Sequence, residues 1–242
     1  MNSKRSKPMN RQQEREQKIL LAATELFSEQ GYHHSSTRQI AKAAGVSEGT
    51  VFNYFDSKNA LLEEIVRGFY SRLTETAQDG LHEKHDGFAQ FTFLAENHIR
   101  LIAADNFLLM RLLAVYFSEH FNFYLDYQNS SIFKHSKTYT RLFDRIIREG
   151  IARNELRNNI KLSAMRDLFF GSLEYGVRSL LAQLEPGEKQ LSDRKLKQYA
   201  KTLCHPIWES MKVRENAEDS RELALCERLE RVAERLESNL KA

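Results

Sequence analysis

Between Ser47 and Lys58 a group of side chains has types and spacing suited to gripping nucleic acid: Ser47, Glu48, Gly49, Thr50, Asn53, Tyr54 and Lys58. The chemistry they offer is recognition, not bond-making. Asn53 carries the donor and acceptor that match an adenine edge, and Thr50 can touch a thymine methyl or donate to a base. Tyr54 and Lys58 suit phosphate oxygens. Gly49 lets a backbone come close. Glu48 is the odd member, because a carboxylate repels phosphate unless it accepts from a cytosine amino group.

These residues need rigid elements to present them, and the flanking sequence supplies the signals. Ser36 and Gln39 have the S-x-x-Q spacing of a capping box, so a helix should start near Thr37. It would bury Ile40, Ala41 and Ala44. Gly45 can take the left-handed conformation that ends a helix sharply. Ser47 then caps a second helix with Val51 and Phe55 inside. The pattern is helix, tight turn, helix, the arrangement that lays its second helix in the DNA major groove.

The rest of the chain reads as helical. Residues 1–13 are polar and basic without a period and are expected as a flexible arm. Glu14 to Gln30 places Ile19, Ala22, Ala23, Leu26 and Phe27 on one face. Ser57 caps a long helix expected to reach about Gln78. After a polar loop at His82 to Gly87, helices are expected at Phe88–Ala104, Asn106–Ser118, Gln128–Ala152, Leu162–Leu184 and Leu191–Met211. Asn106–Ser118 is apolar all round and should be central. Pro206 should kink or split the last helix. A charged extension, 214–242, carries Leu225, Leu229, Val232 and Leu236 at 4-3-4 spacing, a short coiled-coil-like stripe. No stretch reads convincingly as a strand.

Composition narrows the function classes. The 242 residues include 3 prolines, few for an all-β chain, and the net charge of +3 confines any DNA surface to a local patch. The most apolar run, Phe107 to Phe117, contains Arg111 and is far shorter than the ~20 residues that span a bilayer. The expected location is the cytoplasm, with no membrane partner. Cys204 and Cys226 lack metal spacing, and His82 and His85 stand three apart rather than in an H-E-x-x-H pattern, so no metal, cofactor or catalytic residue is expected. There is no nucleophile elbow, phosphate loop or purposeful carboxylate pair, so an enzyme is not expected. Residues 88–143 hold 13 of the 25 aromatic residues, enough for rings such as Phe107 and Tyr116 to line an apolar pocket as well as a core. Asn97, His98, Arg111 and Tyr175 are the polar side chains placed to orient a ligand there.

The motif region resembles the DNA-binding domain of the TetR family of bacterial transcriptional regulators. The matching residues are Gly31, Ile40-Ala41, Ala44-Gly45-Val46-Ser47, Gly49-Thr50-Val51, Tyr54-Phe55, Ser57-Lys58 and Leu61, within Glu14 to Ile65. The run Arg148 to Leu156 before a long helix is similar to that family's regulatory domain. The resemblance implies an all-α fold: a three-helix helix-turn-helix domain at 14–62, then a larger helical ligand-binding and dimerisation domain at 63–213. It implies a homodimer on a palindromic double-stranded DNA operator, usually a repressor, released by a small-molecule effector. Thr37 and Arg38 would touch phosphate or a base, Ser47, Glu48, Gly49, Thr50 and Asn53 would face the groove, and Tyr54 and Lys58 would hold phosphates. The last two helices would form the dimer interface through Leu168, Ser172, Tyr175, Ser179, Trp208 and Met211, unless they only close the protomer's own core. Phe52 stands where the family commonly has tyrosine, and Glu48 where lysine is frequent. A regulatory scaffold acting through the C-terminal stripe is the alternative function.

Overall fold

The computed structural model describes residues 10–105, 108–119, 129–184, 188 and 190–213. Among these, the regular elements are α-helices: α1 Arg11–Glu29, α2 Thr37–Ala44, α3 Glu48–Tyr54, α4 Lys58–Leu81, α5 Gly87–Ala104, α6 Leu108–Glu119, α7 Ser131–Ala152, α8 Leu162–Leu181 and α9 Asp193–Met211. The fold is all-α. The tail stripe at 225–236 lies outside the described residues.

Most helices begin where a short polar side chain can satisfy the free amides of the first turn. Ser36 and Gln39 form the expected capping box, and Ser47, Ser57, Asp86, Ser130 and Ser192 each cap the helix that follows. Helix α1 starts earlier than expected. Asn10 and Gln13 form a second capping box, so Arg11 to Gln13 belong to the helix and not to an arm.

Helix α4 is a single rod of 24 residues, about 35 Å at 1.5 Å per residue. It packs on α1, α5, α6 and α7. Leu61, Leu62, Val66, Phe69, Leu73, Ala77 and Leu81 are all buried along it. The expected boundary at 62/63 therefore falls inside one rigid helix that joins the two halves.

The centre of the larger half is α5, not α6. Helix α5 packs against α4, α6, α7, α8 and α9, and it buries Phe91, Leu94, Ala95, Ile99 and Ile102 completely. Helix α6 turns Arg111, Ala114 and Ser118 to solvent. An aromatic cluster fills the core: the Phe91 ring lies 4.6 Å from Phe169 and 5.2 Å from Trp208, and Phe143 lies 5.1 Å from Phe169. Helix α9 runs unbroken through Pro206, contrary to a split there. Its end is tied down by a bridge between Leu156 and Lys212, with the Arg157 amide donating to the Met211 carbonyl at 3.0 Å.

Candidate nucleic-acid interface and effector domain

Gly45 makes the corner between α2 and α3. Its φ of 67° is left-handed, and its amide donates to the carbonyls of Ala41 and Lys42. The Val46 amide also reaches the Ala41 carbonyl, at 3.0 Å. A Cβ at Gly45 would meet nothing within 4 Å, so the position needs glycine for its backbone angle, not for space. Ile40, Ala41 and Val51 are buried under the corner and fix the two helices.

The polar residues of this face largely pair with one another. Thr37 donates to Glu48 at 2.7 Å, and the Arg38 guanidinium lies 3.6 Å from the same carboxylate. Glu48 is thus neutralised locally and ties the start of α2 to the start of α3. The Ser47 hydroxyl accepts from the Thr50 amide at 3.1 Å and shares a 2.8 Å hydrogen bond with the Thr50 hydroxyl. Gly49, Phe52 and Asn53 face solvent, and Tyr54 is half-buried. Asn53 makes no side-chain hydrogen bond among the described residues.

Lys58, expected to hold a phosphate, is engaged within the protomer in this structure. Its ammonium donates to the carbonyls of Tyr32 at 3.0 Å and Ser35 at 3.1 Å, and it sits 4.2 Å from the centre of the Tyr32 ring. It fastens the loop before α2 to the start of α4, so in this structure it positions the motif from behind.

The expected ligand residues separate into two groups. Asn97 and His98 are buried inside the larger half. The Asn97 amide donates to the Leu73 carbonyl at 3.1 Å, which staples α5 to α4. His98 stacks on Tyr139 at 5.7 Å and meets the edge of Phe170 at 5.1 Å. Neither of its nitrogens has a hydrogen-bond partner among the described residues, and Glu174 lies 3.8 Å away. Burial pushes the Tyr139 hydroxyl far above its ordinary range, with Asn97 opposing the shift, so it stays a neutral phenol. Burial likewise pushes the Cys204 thiol up to about 12, which keeps it out of thiolate chemistry. Tyr116 is buried on α6. Arg111 and Tyr175 point elsewhere. Arg111 donates twice to the Ser28 carbonyl at the end of α1, each at 3.2 Å, and so bridges the two halves. Tyr175 is 64% exposed, with the Arg178 guanidinium 4.7 Å over its ring. Phe107 lies outside the described residues.

The expected dimer residues also separate. Leu168 and Tyr175 are exposed on α8, and Ser172 and Ser179 are half-buried on the same face. Trp208 and Met211 are not surface residues. They are buried at 3% and 0%, with Trp208 packed against Phe88 and Phe91, because α9 turns that side to α5. They close the protomer's own core.

Two grooves were not anticipated from the sequence. One, of about 560 Å³, lies between α7 and α8 and is lined by Lys137, Arg141, Arg145, Arg148 and Arg166, with Asp144 and Glu149. Its signal was present as cations at 137, 141, 145 and 148, the 4-4-3 spacing of one helical face. The other, also about 560 Å³, runs along the joint of α1, α4 and α6 past Leu20, Leu21, Ile65, Phe69 and Leu109. No group of three or more His, Cys, Asp or Glu side chains converges among the described residues. No single described helix is long and apolar enough to cross a membrane.

A capped helix-turn-helix carried on a long helix into a larger helical domain defines a class of DNA-binding regulators with a separate sensing domain. Residues 19–65 match the bacterial regulatory proteins of the tetR family, and residues 69–183 match the YsiA-like protein C-terminal region. The chain is 29% identical over 160 residues to the fatty acid metabolism regulator protein of Bacillus subtilis, covering 66% of this chain and 79% of that one. It is 34% identical over 93 residues to the transcriptional regulator BetI of Escherichia coli, covering 38% of this chain and 45% of BetI. The fatty acid degradation regulator FadR of Bacillus halodurans has the same fold, with a TM-score of 0.66 and 22% identity over 86% of this chain and all of that one. FadR of Bacillus subtilis, solved in complex with stearoyl-CoA, superposes with a TM-score of 0.61 at 24% identity, covering 79% of this chain and 96% of the other. The chain belongs to the TetR family of transcriptional regulators.

Proposed function

We propose that the chain is a repressor that binds a palindromic operator as a homodimer and is released by a long-chain acyl-coenzyme A. The observation that carries the effector class is the basic groove of α7 and α8 on a domain whose interior is aromatic and aliphatic. An acyl-CoA has both matching parts. Its chain suits an apolar interior, and its phosphates suit a row of arginines, which bind phosphate in a fork. The relatives named for fatty acid metabolism, and the neighbour solved with stearoyl-CoA, support the same class. The exposed face of α8, with Leu168 and Tyr175, is the surface this reading assigns to the second protomer.

The test uses a labelled duplex enriched from a random pool. Stearoyl-CoA should release the protein from it, while stearate alone and coenzyme A alone should not. Arg141→Ala with Arg145→Ala should leave DNA affinity intact and raise the stearoyl-CoA concentration needed for release at least tenfold. Equal release by stearate would remove the phosphate half of the reading. No release by any of the three would remove the effector class.

A further inference from the structure

Phe52 is the large apolar side chain that α3 leaves exposed, with 46% of its surface open. It sits three residues after Gly49 and beside Asn53, so the three share one patch of the helix. Val51 and Phe55 hold the opposite face in the core. Helical side chains lean toward the N-terminus, and Gly49 has no side chain to cover the turn beneath the ring. A Cβ there would meet only the Ser47 hydroxyl at 3.9 Å, so the space is open.

Of the polar neighbours, Asn53 makes no side-chain hydrogen bond among the described residues, while Glu48, Ser47 and Thr50 are engaged. Glu48 is held by Thr37 and Arg38, and Ser47 by Thr50. A phenyl ring offers no donor to a phosphate and no acceptor to a base. The group in the major groove that rewards an apolar contact is the C5-methyl of thymine. We propose that Phe52 is a specificity-determining residue that packs on a thymine methyl in each half-site. The proposal rests on the placement of α3 in the major groove.

Replacing thymine by uracil tests it, because that change deletes the methyl and keeps every hydrogen-bonding group. A duplex enriched by the protein from a random pool is resynthesised with uracil at one position per half-site at a time. At one position the unaltered protein should lose about fourfold in affinity per half-site, the worth of one buried methyl group. Phe52→Ala should bind the thymine duplex more weakly and show no further loss with uracil at that position. Phe52→Leu should retain part of the discrimination. Phe52 is exposed, so neither variant should alter the helix content or melting of the protein, and both are checked for this. Indifference to uracil at every position would overturn the proposal, as would a Phe52→Ala variant that discriminates as well as the parent. Either result leaves specific DNA binding standing. Failure to enrich any duplex would remove the groove placement and the proposal together.

Discussion

At the scale of single residues, the interface holds its own charges in check. On a DNA-facing surface the Glu48 carboxylate would oppose phosphate, yet its hydrogen bond from Thr37 and its ion pair with Arg38 absorb that charge. Glu48→Gln should free Arg38, whose side chain is 88% exposed, for phosphate. DNA affinity should then rise for specific and random duplexes alike. The slope of log affinity against log salt should steepen by about 0.9 for each phosphate gained. Binding titrations at several salt concentrations check this, and an unchanged slope would mean Arg38 points away from the DNA. Lys58→Met should act through the fold instead. It takes the ammonium away from the Tyr32 carbonyl, which keeps the Ser35 amide, and from the Ser35 carbonyl, at a cost of about 1–2 kcal/mol read by urea unfolding. A variant of full stability but shallower salt slope would return Lys58 to the phosphates. The solvent-facing residues of α3 were legible because capping and turn chemistry are local. The partners of Glu48 and Lys58 were not, since they come from residues 11 and up to 26 positions away.

At the scale of helices, the coupling between the two halves has visible parts. Helix α4 runs through both, and Arg111 of α6 grips the last turn of α1. A guanidinium suits that place, because the final carbonyls of a helix lack partners and carry partial negative charge. Arg111→Ala should loosen α6 from α1 without opening the core, since the side chain is exposed. The ratio of operator affinities without and with stearoyl-CoA should fall about two- to tenfold, in line with one or two hydrogen bonds of ~0.5–1.5 kcal/mol. An unchanged ratio would route the coupling through α4 alone. Helix existence was readable from periodicity throughout, and boundaries were close wherever a serine capped. The misreadings have physical causes. The Asn10 capping box lies in a stretch without hydrophobic period. Apolar content marked α6 as central, but centrality depends on how many neighbours a helix meets, and α5 meets five. Pro206 is tolerated because only one amide is lost, near the end of a helix anchored by Ile207, Trp208 and Met211.

At the scale of the whole molecule, the two halves of the α8–α9 pair do different work. Apolar residues on these helices looked alike in sequence, since periodicity reports a face without saying what covers it. In the structure, Trp208 and Met211 are covered by the protomer itself, while Leu168 and Tyr175 are open. Two substitutions separate these roles. Trp208→Ala removes a ring packed against Phe88 and Phe91 and should cost about 3–5 kcal/mol of stability. Its loss of DNA binding would follow from unfolding and should be recovered at lower temperature. Leu168→Glu places a charge on the open face of α8 and should leave the isolated protomer folded, with unchanged helix content. It should move the protein from dimer to monomer in sedimentation at micromolar concentration. Operator affinity should fall about 100-fold or more, because two linked recognition helices bind a two-fold site far more tightly than one. A single half-site should be bound equally by parent and variant. If Leu168→Glu remains a dimer with full operator affinity, the protomers meet elsewhere, and the open face of α8 belongs to another partner.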